Sequence, residues 1–220
     1  MLTLSTPADI LGRMSRTPVD QKKRAYHHGD LERSLVEAAL VTIREEGVQA
    51  LTLRSVGARL GVSRTALYRH FDDKQALLAR VAAEGFKRFH EALATAVARA
   101  AAKRANPMPA MAAAYMRFAL SNPSHYQTMF SGVLTDWSRY PELVRHAEGA
   151  FNVLLDTIRG EQQQKRMAPG DPLDLAEITW ALSHGLATLG LARQLRRTRG
   201  QLQDLAVLGS TVLENGLRRS

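Results

Sequence analysis

Side chains that can bind an anion or the edge of a nucleotide base are concentrated in the stretch GVSRTALYRHF, from Gly61 to Phe71. Arginine donates paired hydrogen bonds in a fixed fork, which suits both phosphate oxygens and the O6 and N7 acceptors of guanine. The apolar residues of the stretch, at helical spacing, are Val62, Ala66, Leu67 and Phe71. Two interpretations follow: a basic surface helix of some helical bundle, or a helix that enters a groove of DNA.

The residues around Gly61 favour two short helices joined by a sharp turn. Gly61 permits a positive φ that a β-carbon would obstruct. Ser63 is expected to cap the following helix by accepting its first N–H groups, and Thr52 is expected to cap the preceding one. The two helices and the connecting LGVS form a helix-turn-helix pattern, with Leu67 and Phe71 as its buried side.

The charges of this region are of one sign. Residues 52–71 contain no acidic residue, and their arginines are Arg54, Arg59, Arg64 and Arg69. The nearby acids all lie outside this segment: Asp30, Glu32, Glu37, Glu45, Glu46, Asp72 and Asp73. A solvated helix usually mixes signs, whereas a helix that binds a polyanion gains from lacking acids. Patterning and charge alone still leave the basic surface helix open.

The composition excludes several other classes of protein. The chain has 220 residues, 45% of them apolar, a net charge of +9 and no cysteine, so disulfides and thiolate chemistry are excluded. Its beginning, MLTLSTPADILGRM, lacks the features of a signal peptide, and no run of 18 apolar residues predicts a membrane span. We expect a soluble cytoplasmic protein with no membrane partner. Without a Gly-rich phosphate loop, HExxH or a Ser/His/Asp set, we expect neither an enzyme nor a cofactor.

Helical periodicity continues through the whole chain and predicts an all-α fold. Residues 1–24 are expected to form a disordered basic arm, residues 25–79 a three-helix DNA-binding domain, and residues 80–220 a larger helical bundle. The helix from Asp30 should end at Gly47, and Asp72 or Asp73 should open one long helix that ends before Asn106. The predicted helices are 30–46, 53–60, 64–71, 74–101, 109–121, 125–136, 141–164, 172–197 and 201–217.

The segment TLRSVGARLGVSRTALYRHFDDKQALL resembles the DNA-binding region of the tetracycline repressor (TetR) family of bacterial transcription regulators, over about residues 25–80. The residues that carry the resemblance are Thr52, Val56, Gly61, Val62, Ser63, Tyr68, Phe71, Lys74 and Leu77. Gly57 departs from the family, which generally has Ala there. A helical glycine costs up to about 1 kcal/mol relative to Ala, so helix two can be looser at this position.

Two later segments also resemble one TetR subfamily. WALSHGLATLGL, residues 180–191, is similar to its Trp-His-Gly signature, and YMRFALSNPSHYQTMF, residues 115–130, is similar to another of its segments. The resemblance implies a homodimer on double-stranded operator DNA and a small-molecule effector in the C-terminal bundle. Repression is the expected activity. The effector is expected to shift the long fourth helix and release the operator, since a ligand acts only by binding the two states differently.

The recognition helix is expected to present its first residues to base edges, while flanking residues grip phosphates. Arg64 and Thr65 are the candidates for base contacts, and a phosphate contact is the alternative for Arg64. Ala66 either touches a thymine methyl or simply packs. By resemblance, Tyr68 and His70 contact the DNA backbone and Lys74 is the phosphate-binding lysine. The alternatives are partial burial for Tyr68, with only its hydroxyl exposed, and a solvated lysine near Asp72 or Asp73 for Lys74. The predicted DNA-binding residues are Thr52, Arg54, Ser63, Arg64, Thr65, Ala66, Tyr68, Arg69, His70 and Lys74.

The C-terminal bundle is expected to hold an apolar cavity, in which aromatic and methionine side chains would bind the effector. The candidate lining residues are Tyr115, Phe118, Met129, Phe130, Trp137, Phe151, Trp180 and His184. For each of them an ordinary place in the helical core is the alternative, and for His184 that place is a hydrogen-bonded core histidine.

A narrow stripe of the last helix is the predicted dimer seam, with packing inside its own subunit as the alternative. Its residues are Leu202, Leu205, Gly209, Val212 and Gly216, and the helix at 172–197 is expected to supply the partner face. In the N-terminal arm, Lys22, Lys23 and Arg24 either reach the minor groove or make no contact. His27 and His28 are not expected to form a metal site, because no further ligands are near in sequence.

Overall fold

The computed structural model describes residues 28–217, with side chains from residue 31 to residue 216, and this part of the chain contains α-helices and no strand. The all-α prediction is therefore confirmed. The helices are α1 His28–Glu46, α2 Leu53–Leu60, α3 Arg64–Tyr68, α4 Lys74–Ala102, α5 Pro107–Ser121, α6 Pro123–Phe130, α7 Pro141–Gln163, α8 Pro172–Leu191 and α9 Arg199–Leu217. A 3₁₀ turn, Trp137–Arg139, lies between α6 and α7. The predictions for the arm, with Lys22, Lys23 and Arg24, and for the His27 and His28 side chains lie outside the described residues.

The local signals around the turn act as predicted. Ser55 N–H donates to Thr52 Oγ1 over 2.9 Å, and Thr52 N–H donates to Ser55 Oγ over 3.1 Å, which closes a capping box at the start of α2. Gly61 ends α2 with φ of 64°. Ser63 Oγ then accepts the Ala66 N–H at 3.2 Å and starts α3. The ends of both short helices are thus determined by their own residues.

Helix α3 is held against α2 by one close contact. A β-carbon placed on Gly57 would lie 2.8 Å from Leu67 Cδ1, so the glycine makes room for the Leu67 side chain. Leu67 and Phe71 are buried, as predicted. Gly57 was expected only to loosen α2. In the structure its missing methyl group also lets α2 and α3 approach closely.

Several predicted helix boundaries were wrong; among them, α6 begins at Pro123 and not at 125, and α9 begins at Arg199 and not at 201. Helix α3 ends at Tyr68 and not at 71, because the N–H groups of His70 and Phe71 both turn back to Leu67 O. Helix α5 begins at Pro107 and not at 109, since Asn106 Oδ1 accepts the Met108 N–H at 2.9 Å and a proline suits the first helical position.

Two larger errors lie at helix C-termini. Helix α6 ends at Phe130 and not at 136, because the chain turns at Gly132 with φ of 71°. Helix α8 ends at Leu191 and not at 197. There Arg193 takes a left-handed φ of 55°, and Gln194 N–H bonds to Leu189 O, the geometry of a glycine C-cap without the glycine.

The start of α1 differs as well. The helix begins at His28, two residues before the predicted start at Asp30, and it ends at Glu46 immediately before Gly47, as predicted. Asp73, rather than Asp72, caps α4 by accepting the Ala76 N–H at 2.8 Å.

The long helix α4 joins the two parts of the molecule and runs through the predicted domain boundary at residues 79 and 80 without interruption. Its first turns pack on α1, and the remainder packs on α5, α6 and α7. Helix α6 touches both α1 and α4, so the C-terminal bundle contacts the N-terminal helices through α6 as well. Helices α8 and α9 pack together, and both also pack on α5.

The predicted dimer seam was partly wrong, because two of its residues face the inside of the subunit. Leu202 is 4% exposed, and a β-carbon on Gly190 would lie 3.0 Å from its Cδ1. Gly209 faces Leu182 and Leu186 of the same chain. The outward apolar face of α9 carries Leu208, which was not predicted, and Val212, which was; they are 57% and 60% exposed.

Gly61→Ala should lower the free energy of unfolding by about 1–2 kcal/mol, the cost of holding a β-carbon in the left-handed region. Gly61→Asn should cost less, because asparagine tolerates that region better. Gly160→Ala, at a helical position with open space around the missing β-carbon, is the matched control and should be neutral or stabilising. Urea unfolding at one protein concentration measures all three, and equal losses for Gly61→Ala and Gly61→Asn would contradict the explanation.

Candidate functional site

The outer face of α3 presents polar side chains to solvent. Arg64, Thr65, Tyr68 and Arg69 are exposed and lie side by side around one shallow concavity. The Arg64 guanidinium lies 5.3 Å from the Tyr68 ring centroid, a cation–π contact that holds the arginine over the outer face of the helix. The four side chains therefore form one surface, opposite the buried side of the same helix.

The other predicted DNA-binding residues surround this face. Thr52, Arg54 and Ser63 are exposed, and Thr52 and Ser63 use their side chains as helix caps. Ala66 and His70 are half-buried, so Ala66 packs in part, as its alternative interpretation required.

Lys74 lies in the first turn of α4 and is bound to the loop before α2. Its Nζ donates to Gln49 O over 2.8 Å, which ties α4 to the segment that leads into Thr52. A lysine ammonium has two more donors after this bond. Lys74 is thus placed beside the start of α2, and its contact with a phosphate stays a prediction.

One arginine of the acid-free segment faces away from α3. Arg59 Nη2 lies 2.6 Å from a Glu45 oxygen and 3.7 Å from a Glu46 oxygen, so it is paired to the end of α1. Among the described residues, Arg54, Arg64 and Arg69 have no carboxylate within ion-pair distance. The positive face is therefore made by three arginines, one fewer than the sequence suggested.

A cavity of about 720 Å³ opens between α4, α5, α6, α7 and α8. Its lining includes six of the eight predicted residues: Tyr115, Met129, Phe130, Trp137, Phe151 and Trp180. Phe118 and His184 are not part of the lining. Phe118 packs on Phe89 in the core with ring centroids 5.0 Å apart, and the half-buried His184 lies behind Tyr115 with its ring against Phe130 and Trp180. Their roles in ligand binding stay predictions.

Much of the cavity wall was not predicted. The missed residues that matter most are Phe86, Phe89, Leu93, Met108, Met111, Glu148, Asn152, Glu177, Thr179 and Ser183. On α4, the spacing of 86, 89 and 93 places three apolar side chains on one face, a signal that could have found them. The polar residues of α7 and α8 carry no comparable signal, because exposed glutamates are common on any helix.

A hydrogen-bonded cluster supports one wall of the cavity. His184 Nδ1 lies 2.8 Å from Tyr126 Oη and 3.1 Å from Tyr115 Oη. Burial raises the pKa of both tyrosines, and burial lowers the pKa of His184. Both hydroxyls therefore remain protonated at neutral pH. The single Nδ1 lone pair of a neutral His184 suits the nearer hydroxyl, that of Tyr126, and the Tyr115 hydroxyl also lies 3.4 Å from Tyr126 Oη. Thr188 Oγ1, 3.5 Å from Tyr126 Oη, closes the cluster.

Two negative findings apply to residues 28–217. No group of three or more His, Asp and Glu side chains is arranged to hold a metal ion. None of the helices in this range has the length and apolar content that crossing a membrane requires.

The helix-turn-helix of α2 and α3, together with the helical bundle of α4 to α9, defines the class of protein. Residues 35–81 match the profile described as bacterial regulatory proteins, tetR family, and residues 108–209 match the profile described as tetracyclin repressor-like, C-terminal domain. The chain belongs to the TetR family of bacterial transcriptional regulators. The Trp-His-Gly subfamily stays a prediction.

Curated relatives match over part of the chain. The uncharacterized HTH-type transcriptional regulator YobS of Bacillus subtilis is 29% identical over 99 residues, 45% of this chain and 51% of the relative. The class D tetracycline repressor of Escherichia coli is 38% identical over 58 residues, 26% of this chain and 27% of the relative. The chain thus spans about half the length of the first and about a quarter of the second.

Solved structures match over nearly the whole fold. A protein of unknown function from Rhodococcus sp. RHA1 is 31% identical, with a TM-score of 0.75 over 89% of this chain and 99% of the other. The transcriptional regulator FadR of Bacillus subtilis, solved in complex with stearoyl-CoA, has a TM-score of 0.69 over 84% of this chain and 98% of the other. At 16% identity the FadR likeness concerns the fold alone.

His184→Asn should make unfolding less sensitive to pH. Because the pKa of His184 is lowered in the folded state, the unfolded chain binds more protons, and the native protein loses stability as the pH falls below about 6.5. The stability difference between the native protein and His184→Asn should therefore shrink from about pH 7.5 to pH 5. Urea unfolding across this range measures it.

Tyr126→Phe is the matched control for that experiment. It removes a hydrogen bond to His184, about 1 kcal/mol, but keeps the titrating imidazole. Its stability curve should run parallel to that of the native protein. A His184→Asn curve that is also parallel would show that the imidazole does not contribute to the pH dependence.

Proposed function

We propose that this chain is a sequence-specific DNA-binding repressor, which acts as a homodimer on a twofold operator and leaves it when a small molecule enters the cavity. The observation that carries the proposal is the outer face of α3, where Arg64, Thr65, Tyr68 and Arg69 are exposed beside one another without a carboxylate. Since such a helix can fit the major groove of DNA, Arg64 and Thr65 are the candidates for base contacts.

The residues around the face suit phosphate contacts. Arg54 and Thr52 lie at the start of α2, and Lys74 is held beside the same start by its bond to Gln49 O. A helix N-terminus favours an anion, and Lys74 adds a charge there. These side chains would fix the position of α3 on the duplex, whatever the sequence.

The exposed apolar faces of α8 and α9 support the proposed homodimer. Ile178 and Leu189 on α8, together with Leu208 and Val212 on α9, are all more than a third exposed. Adjacent large apolar side chains at a surface are typical of an interaction site, and a twofold pairing of α8 and α9 would cover them in a four-helix contact. The proposed seam keeps Val212 and has Leu208 in place of Leu202 and Gly209.

The packing of α6 supports a route from cavity to DNA. Met129 and Phe130 line the cavity, and α6 also touches α1 and α4. Met129 is in tight contact with α4, because a β-carbon on Gly85 would lie 2.7 Å from its Sδ. A ligand that displaces Met129 would press on α4 and change the placement of α3 in the dimer.

The proposal that the bundle binds a small molecule is also supported by its likeness in fold to FadR, which was solved in complex with stearoyl-CoA. We infer that the cavity binds its ligand and does not convert it. Family members are generally non-enzymatic. Burial also keeps the Tyr115 hydroxyl protonated beside His184, so it can form a hydrogen bond but is not an ionised nucleophile.

Operator binding tests the proposal and separates base contacts from phosphate contacts. On DNA from upstream of its own gene, Arg64→Ala should cost about 1–3 kcal/mol and relax the preference at one base pair in each half-site. Lys74→Gln keeps a donor for Gln49 O but removes the charge. It should weaken binding to every sequence and reduce the salt slope by about 1 for each subunit.

Arg59→Ala is the control for charge loss in the same helix-turn-helix. Because Arg59 is paired to Glu45 and Glu46, the substitution should leave the salt slope unchanged. Fluorescence anisotropy over a salt series measures all three variants. If native protein gives no salt-sensitive binding that resists competitor DNA, the repressor proposal is wrong.

Charged substitutions on α9 test the dimer. Leu208→Glu with Val212→Glu should convert the native dimer to a monomer at micromolar concentration, because the pairing would bury four carboxylates against apolar residues. Ala98→Glu, at an exposed position of α4, should leave the dimer intact. Analytical ultracentrifugation distinguishes these results. A native chain that sediments as a monomer would refute the seam.

A further inference from the structure

On the cavity wall, α7 and α8 each carry a glutamate followed three residues later by an aromatic residue. On α7, Glu148 is followed three residues later by Phe151, and on α8, Glu177 is followed three residues later by Trp180. Residues three apart lie on the same face of a helix, and all four line the cavity. The Phe151 and Trp180 rings meet edge to face with centroids 6.0 Å apart. The two carboxylates therefore flank an aromatic contact between two packed helices.

The charge of this wall is opposite to that of the protein. The chain carries +9 overall, with 30 Lys and Arg against 21 Asp and Glu. Of the described residues that line the cavity, however, the charged ones are Glu148 and Glu177, and none is Lys, Arg or His. Neither glutamate is paired with a cation in the described part of the chain. Both glutamates are solvent-exposed, so water and salt screen their charge in part; a negatively charged ligand would still meet repulsion here, with no basic partner.

The rest of the cavity suits an apolar body beside a cationic group. Phe86 packs edge to face on Phe130 and on Trp137, in both cases with centroids 5.5 Å apart, and all three rings line the space. Ring faces attract organic cations, above all where water is excluded. Leu93, Met108 and Met111 form an apolar end on α4 and α5, which can adapt to the shape of a hydrocarbon.

We propose that the cavity selects a lipophilic cation: an organic ammonium whose apolar body lies among the α4 and α5 side chains and whose charge lies at Glu148, Glu177 and Trp180. The inference rests on the proposed function, because it names the class of small molecule that the repressor senses. Carboxylates and phosphate esters of the same apolar size are disfavoured by the same two glutamates.

Matched probes of one chain length test the charge preference. Decyltrimethylammonium, decan-1-ol and decanoate share an apolar tail and differ in head-group charge, and each is used below its micelle concentration. Both tryptophans of the chain, Trp137 and Trp180, line the cavity, so intrinsic fluorescence reports occupancy directly. We expect the ammonium to bind at least about tenfold tighter than the alcohol, the alcohol to bind tighter than decanoate, and the ammonium to weaken operator binding.

Isosteric variants test whether the preference for a cation comes from Glu148 and Glu177. Glu148→Gln with Glu177→Gln keeps the size of both side chains and removes both charges. The ratio of ammonium to alcohol affinity should then fall close to one. Glu91→Gln, at an exposed carboxylate on α4 outside the cavity, is the control and should keep the native ratio.

The outcomes separate this inference from the proposed function. If the alcohol or decanoate binds as tightly as the ammonium, or if the double variant keeps the native ratio, the cation preference is wrong and small-molecule sensing stands. If none of the three probes changes the fluorescence while operator binding is intact, the lipophilic-cation inference is wrong and the repressor proposal stands.

Discussion

The contact between Leu67 and Gly57 is the constraint on which the DNA-binding face depends. Leu67 can reach into the core only because Gly57 has no side chain, and this close approach fixes the rotation of α3 about its axis. With Leu67 and Phe71 inside, the 3.6-residue period leaves Arg64, Thr65, Tyr68 and Arg69 outside. A helix of five residues cannot hold such an orientation by its own hydrogen bonds, since isolated helices of this length are marginal in water. Packing on α2 therefore supplies the orientation.

The same principle of close approach recurs where the cavity meets the N-terminal helices. Gly85 lets Met129 lie against the backbone of α4, and Met129 is at the same time part of the cavity wall. The α4 helix continues from that contact to Lys74, which is tied to the loop before α2. Because core side chains pack without voids, a shift of Met129 has to move α4, and with it Lys74 and the loop before α2. In this fold, one helix thereby carries both the cavity wall and the anchor of the DNA-binding helices.

The parts of the structure that the sequence predicted are those that local chemistry determines. Thr52, Ser63 and Gly61 act on their immediate neighbours, so a cap or a turn could be identified without knowledge of the fold. The number of arginines that face DNA could not be predicted in this way, because Arg59 pairs with Glu45, fourteen positions away, through the packing of α1 on α2. His184 shows the same limit: its place behind Tyr115 depends on how α5 and α8 meet, and helical periodicity does not contain that information.

The opposite charges of the two candidate sites are best understood together. DNA and a lipophilic cation are ligands of opposite sign, and each would be repelled from the other's site: the cation by the arginines of α3, and the phosphates by Glu148 and Glu177. The two glutamates lie on α7 and α8, which are distant in sequence from α3, so the +9 of the whole chain conceals a local reversal. Net charge therefore indicates only the DNA partner, because exposed basic residues dominate the sum. The chemistry of the cavity follows from the few charged side chains that line it.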